Sequence, residues 1–294
     1  MNALIACPVL VLTALDLEYA AVRAQLRELR RHRHPAGTLF EAGRLANGAG
    51  EVIIGLTGPG ITAAALMAER ATATFGPQAV LFAGVAGALK DDIRLGDIVV
   101  ATKVYAYHGA KEEDDAVSAR PRSWEAPHEL EQTAHAIAQD QSWARYLPAS
   151  PLDHLPNVHF KPIATGEVLL AARAAPTAEL LRRVYNDAAA IEMEGAGVSQ
   201  ASHVNRSLPA LIIRGISDRA DGDKRAVDQE GWQPRAAAHA AAFAVALAAE
   251  LLSPGTGEPA AGDGGPGRPE DGEPGWPDGP LGEVLDAQWP PDGW

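Results

Sequence analysis

The sequence predicts an α/β fold, a three-layer sandwich with a central mixed, mostly parallel sheet flanked by helices. Three observations carry this. The short apolar runs Val9 to Leu12, Ala79 to Ala83 and Leu208 to Ile213 have the length and composition of strands buried on both faces. Segments of helical period separate such runs, so strands and helices alternate. The alanine-rich stretch Ala236 to Leu252, interrupted by His239 and Glu250, reads as a core-facing helix.

Taken in order, Val9 to Leu12 is the first strand. Thr13 or Asp16 caps a helix in which Tyr19, Val22, Leu26 and Leu29 recur at helical spacing, with Arg23, Arg27, Glu28 and Arg30 opposite. The basic cluster Arg30 to His34 is then the solvated end of that helix, where cations are favoured. Thr38 to Ala42 and Glu51 to Thr57 are strand candidates, separated by the turn Asn47-Gly48. Gly58-Pro59-Gly60 opens a helix from Thr62 to Phe75. Strand, G-x-G-x-x-A and helix nearly match a dinucleotide fingerprint. The next strand ends in Ala83-Gly84-Val85-Ala86-Gly87, however, with no acid for a ribose. The glycines are therefore assigned to a tight turn or a close approach to a ligand.

Gly96 to Thr102 gives a turn and a strand. Tyr105 to Ala126 is polar, carries the run Lys111 to Asp115, and reads as a long surface loop. A helix from Pro127 to Trp143 follows, then a strand from Val158 to Thr165 leading into Gly166 to Leu170. The remaining expectations are a helix over Thr177 to Tyr185, an extended Ala189 to Glu194, a helix over Gly197 to His203 and a strand over Ala210 to Ile216.

Composition bounds the function classes. The chain has 294 residues, 47% hydrophobic, and a net charge of −13. Beyond residue 252 the composition shifts to proline and glycine, with nine Asp/Glu against one arginine. The expectation is a catalytic domain over 1–252 and a disordered acidic tail over 253–294. Neither part has the basic footprint of a nucleic-acid binder. The start of the chain is apolar but lacks a basic n-region, and reads as a buried strand rather than a signal or membrane segment. The single Cys7 excludes an internal disulfide and fits a reducing cytoplasm. The nine histidines are scattered, so no metal and no cofactor are expected.

Three acidic features fall at strand ends, where ligands bind in such sheets. Glu192 and Glu194 flank Met193 and point to one face if the segment is extended. Asp218 closes the run that ends at Ile213, beside Arg214 and Ser217. Glu18 follows Val9 to Leu12. An isolated acidic pair is commonly just solvated; three acids at the ends of separate buried strands describe a site.

The motifs TALDLE (13–18), GPG (58–60), AGVAGAL (83–89), LGDIVVA (95–101), ATGE (164–167), IEMEGAG (191–197) and IRGISDRAD (213–221) occur in that order. With them the chain, from about Val9 to Leu252, resembles the nucleoside phosphorylase/nucleosidase superfamily, and within it the 5′-methylthioadenosine/S-adenosylhomocysteine nucleosidases. The resemblance implies cleavage of the N-glycosidic bond of a purine nucleoside, releasing adenine. It implies Asp218 as the acid at purine N7 beside Ser217, Glu18 as the base that positions water, and Glu194 holding the ribose hydroxyls. Met193 then packs on the sugar with Glu192 nearby, Arg214 orients the acids, and Leu170 offers its backbone to the purine edge. Gly84 and Val85 fall at the turn where family members carry serine, and phosphorylases also arginine, for phosphate; Val85 supplies no such donor. Leu169 stands where an aromatic residue usually stacks on adenine. The segment from Tyr105 to Tyr146 is longer than in housekeeping members and resembles a defence-type branch acting on nucleotides. A phosphate-dependent phosphorylase, a defence-type effector cleaving adenine nucleotides and a non-catalytic nucleoside sensor remain alternatives. The resemblance further implies a homo-oligomer, a dimer in the first instance.

Overall fold

The computed structural model describes residues 7–46, 48, 50–114, 116–149, 154–172, 174–221 and 231–253. Apart from Ser253, the expected tail lies outside the described residues, as does Asn47 of the expected turn.

The first strand, β1 (Val9–Thr13), is wholly buried. Val9 and Val11 enter one apolar layer, Leu10 and Leu12 the other. Successive side chains point to opposite faces, so burial on both sides demands an unbroken apolar run. The chain continues through α1 (Asp16–Arg23), β2 (Leu26–Arg33), β3 (Leu39–Leu45), β4 (Glu51–Leu56), α2 (Ile61–Phe75), β5 (Ala79–Ala88) and β6 (Ile98–Ala106). Then come β7 (Ala110–Glu113), β8 (Ala116–Ala119), β9 (Arg122–Glu125), α3 (His128–Gln139), a 3-10 turn (Ser142–Tyr146) and β10 (Val158–Thr165). The last elements are α4 (Pro176–Val184), β11 (Ala190–Glu192), α5 (Gly195–Val204), β12 (Ala210–Asp218) and α6 (Trp232–Leu252).

The central sheet is mixed. Parallel pairings join β4, β1, β5 and β12 in sequence, and join β6, β10 and β11. Antiparallel pairing of β12 with β6 links the two groups. β11 also pairs antiparallel with the end of β5, at Ala88 and Gly87. Five strands, β5, β12, β6, β10 and β11, therefore close on themselves, while β1, β4, β3 and β2 extend as an open wing. Helices α1, α3 and α6 cover one face, and α2 and α5 the other. By length and hydropathy α6 matches a membrane span, but 78% of that stretch is buried inside the fold; it is the core helix.

Two expectations are overturned here. The helix expected to run on past Val22 stops at Arg23, and Leu26–Arg33 is the edge strand β2, paired with β3. A bulge between Arg27 and Arg30, with Glu28 at φ 53°, explains the error. An extra residue in a strand turns its period from two to three. Leu26 and Leu29, three apart as on a helix, thereby both pack against Gly43 of β3. The basic residues Arg30 to Arg33 accordingly lie on a sheet edge, which charged side chains protect from further pairing. The second correction concerns Tyr105 to Ala126. It is not an unstructured loop: β7 and β8 pair with each other, and β9 pairs with β6.

Candidate active site

A cavity of about 260 Å³ lies between the ends of β1, β5, β11 and β12. Each acid reaches it from a different element. Glu18 sits in the first turn of α1 and is 3% exposed. Its Oε2 accepts the backbone N–H groups of Ala14 and Leu15, both at 2.9 Å, and its Oε1 accepts that of Val85 at 2.8 Å. Burial pushes its carboxyl up from the ordinary 4.5; the Arg214 guanidinium and the three N–H groups oppose that rise without cancelling it.

Arg214 is the fully buried centre of the acidic cluster. It lies beside Gly84 in the β12–β5 register, with its guanidinium carbon 4.3 Å from the centre of the Phe82 ring. Nη2 donates to Glu192 and, at 3.3 Å, to Oε2 of Glu194. A Cβ at residue 84 would stand 2.1 Å from Nη1 and 2.6 Å from Oε1 of Glu18, so glycine is what lets the guanidinium and Glu18 approach each other. Burial works against the charge of Arg214; Glu192, Glu194 and Glu18 more than restore it.

Glu192 is saturated. It accepts the Thr165 hydroxyl, the backbone N–H of Glu194 at 3.0 Å and that of Gly195 at 2.8 Å, as well as Arg214. It thus caps the start of α5, where backbone N–H groups lack partners within the helix. The extended reading of Ala189 to Glu194 holds only as far as Glu192. Glu194, at φ −131° and ψ −33°, already begins α5. Its Oε1 accepts the Gly60 N–H at 3.0 Å. Gly60, at φ 100°, belongs to the GPG turn, so that turn meets a protein carboxylate rather than a dinucleotide. Burial chiefly, and Glu192 beside it, push the Glu194 carboxyl up to about 7 against the pull of Arg214.

Asp218 ends β12 and is 4% exposed. Ser217 donates its hydroxyl to Oδ2 at 3.0 Å, and the Ala220 N–H donates to Oδ1 at 2.9 Å. Both bonds fix the direction of the carboxyl.

Of the residues singled out from sequence, Glu18, Val85, Leu169, Leu170, Glu192, Met193, Glu194, Ser217 and Asp218 line this one cavity. Gly84 and Arg214 are absent from the lining and stand against the acids instead. Leu169 is at the open rim, 60% exposed, whereas Leu170 is buried. Sequence reasoning missed Gln233 as a lining residue and Thr165 as a partner of Glu192. It also missed the Gly60 amide, a backbone donor with no side-chain signature beyond the GPG motif itself. Among the described residues no group of three or more His, Cys, Asp or Glu is arranged to hold a metal ion.

The profile of the Phosphorylase superfamily matches residues 8–249. The chain belongs to that superfamily. A superfamily relative from Psychromonas ingrahamii, a 5′-methylthioadenosine/S-adenosylhomocysteine nucleosidase, is 30% identical over 233 residues, 78% of this chain and 93% of its own. The Neisseria meningitidis nucleosidase of the same name, solved with methylthio-immucillin-A, superposes with a TM-score of 0.69 at 20% identity, over 83% of this chain and 99% of that one. The futalosine hydrolase of Helicobacter pylori gives a TM-score of 0.68 at 22% identity, over 84% and 98%. Those two likenesses establish the α/β fold of the superfamily in this chain.

Proposed function

We propose that this superfamily member is a purine nucleosidase: it hydrolyses the N-glycosidic bond of a methylthioadenosine- or adenosylhomocysteine-like nucleoside and releases adenine. One observation carries the reading. Glu18, Glu194 and Asp218 converge on a single cavity, and its described lining includes no Lys, Arg or His. Hydrolysis needs a proton at the leaving purine and an activated water at the sugar. Asp218 gives its proton to N7 as the C1′–N9 bond breaks. Glu18 takes a proton from water, and the oxygen bonds to C1′. Glu194, with a carboxyl near neutrality, both accepts from and donates to the ribose hydroxyls. Glu18 and Glu194, which line the same cavity, favour the positive charge developing at the sugar. Protons leave Glu18 and return to Asp218 through solvent.

The same lining disfavours the alternatives. Attack by phosphate, or a phosphorylated 5′ end, places a multiply charged anion in an acidic cavity with no cation on the described wall. Water and an uncharged 5′ substituent fit instead. The exposed apolar rim residues Pro59 and Val168 suit a thioether arm. They are also the surface that a second copy would cover, in keeping with a homodimer in the cytoplasm; light scattering on the purified chain checks the dimer.

The test is incubation with methylthioadenosine, adenosylhomocysteine and ATP, with and without phosphate, followed by chromatography. Free adenine is expected from the first two without phosphate. Release from ATP alone, or ribose 1-phosphate that appears only with phosphate, moves the assignment to an alternative. Tight nucleoside binding with no base release selects the sensor.

A further inference from the structure

Val168, Leu169 and Leu170 form an apolar wall of the cavity that holds the acids. This wall has little of its own to hold it. Residues 166–172 lie in no helix or strand, and among the described residues no backbone–backbone hydrogen bond is found for Val168, Leu169 or Leu170. Leu170 is buried in the apolar cluster of α4, but Val168 and Leu169 are 43% and 60% exposed. A segment with few buried contacts and few backbone bonds belongs to the low-stability end of a fold. Its position has to be set from its two ends.

Glu167, the acid of the ATGE motif that the proposed reaction leaves unused, holds the near end. Its Oε1 accepts the backbone N–H of Ile61, the first residue of α2, at 2.9 Å. Its own N–H donates to Nδ1 of His108 at 3.2 Å, and the Gly166 N–H donates to the Glu192 carbonyl at 3.2 Å. The side chain thus crosses from the start of the wall to the opening of α2. That opening cannot cap itself, because its N-cap is Gly60, with no side chain to offer. Two carboxylates from different elements take its amides instead, Glu194 that of Gly60 and Glu167 that of Ile61. A carboxylate at a helix N-terminus makes charge-assisted bonds and suits the helix dipole. Gly60 also leaves room for the bridge, since a Cβ there would stand 3.1 Å from Oε2 of Glu167. Pro59, the residue before it, lines the same cavity. Glu167 therefore ties together two parts of the lining, Pro59 on one side and Val168 to Leu170 on the other.

We propose that Glu167 is a positioning residue: it latches the apolar wall to the N-terminus of α2, and so sets how tightly the cavity grips the nucleoside. The kinetic consequence rests on the hydrolysis proposed above; the latch itself does not. Contacts with an apolar wall are made alike in the ground and transition states, so their loss raises KM and leaves kcat.

The test compares the full chain with its Glu167→Ala and Glu167→Gln variants by two measurements. Hydrogen exchange followed by mass spectrometry reads residues 165–172 and needs neither substrate nor turnover. Initial rates with methylthioadenosine read KM and kcat. Glu167→Ala should speed exchange of the segment and raise KM, each about five- to tenfold, the scale of a lost helix cap, with kcat within about twofold. Glu167→Gln keeps a carbonyl acceptor for the Ile61 N–H and should bring KM back to within about threefold of wild type. Exchange or KM in Glu167→Ala equal to wild type overturns the proposal, and so does a glutamine variant as impaired as the alanine one. A wild-type chain that releases no adenine, but whose segment Glu167→Ala loosens, would sink the hydrolysis and keep the latch. Calorimetric titration with adenine, expected to weaken by the same factor, then takes the place of KM.

Discussion

Replacing Arg214 with methionine tests the site's electrostatics most directly. The substitution keeps an apolar stem over Phe82 and removes the cation that Glu192, Glu194 and Glu18 share. Removing one partner from a buried ion pair costs about 3–5 kcal/mol, because the other charge is left uncompensated. For a domain of this size each kcal/mol lowers the melting temperature by about 2–4 °C, so a fall of about 6–20 °C is expected near pH 7. The pH dependence sharpens the test. The Glu194 carboxyl is raised in the folded state from 4.5 to about 7, so its contribution to stability is complete below the lower value and is lost as pH rises through the upper one. Without Arg214 the upper limit moves higher still. The stability gap between variant and wild type should therefore widen from about pH 5 to about pH 8. Glu18 loses the same counter-charge, so the acid limb of the activity profile should shift to higher pH. Thermal unfolding and kcat measured across this range provide both readouts. A drop below about 3 °C near pH 7, or a gap that does not change with pH, would refute the reasoning.

Asp218→Asn keeps one oxygen to accept the Ala220 N–H and turns its amide N–H to the Ser217 oxygen, which can accept, but it has no acidic proton to give; base release should fall about 10²–10⁴-fold with only a small change in melting temperature, and full activity would remove the assigned acid. Leu169→Phe puts an aromatic face at the rim of the cavity; stacking of about 0.5–1.5 kcal/mol should lower KM for adenine nucleosides about two- to tenfold, checked by initial rates. His239 is buried against the Gly96 carbonyl, and burial lowers its pKa, so the stability it contributes is present above its unfolded 6.5 and is lost as pH falls below that value. His239→Gln should remove that part of the acid-side loss, measured by urea unfolding near pH 7 and about pH 5.5; an identical slope in both proteins would contradict it.

Strands buried on two faces were legible because their apolar runs have no other use: β1, β5 and β12 are such cases. The acids were legible because a carboxylate at the end of a buried strand is conspicuous in the sequence. β2 was not, since its bulge gives two leucines a helical spacing. Nor were β7 to β9, at four residues each too short to establish a period; β7 is exposed throughout and β9 nearly so. The division of labour between Glu192 and Glu194 was equally hidden. Alternation along a strand placed them on one face, but the chain turns into α5 at Glu194, so Glu192 serves the helix amides while Glu194 reaches Gly60. What unites them is Arg214, whose approach depends on Gly84, a residue that sequence alone placed against the ligand.

The bond from Glu194 to the Gly60 amide gives that side chain two employers. It lines the cavity, where the proposed reaction has it hold the ribose, and it also fastens the opening turn of α2 to that of α5. A lifeless Glu194→Ala protein would thus be ambiguous, since a slackened seam between two helices and a missing grip on the ribose yield the same blank assay. The bonds of Asp218 to Ser217 and Ala220 stay within its own segment of chain. Knock-outs meant to separate architecture from chemistry are better made there.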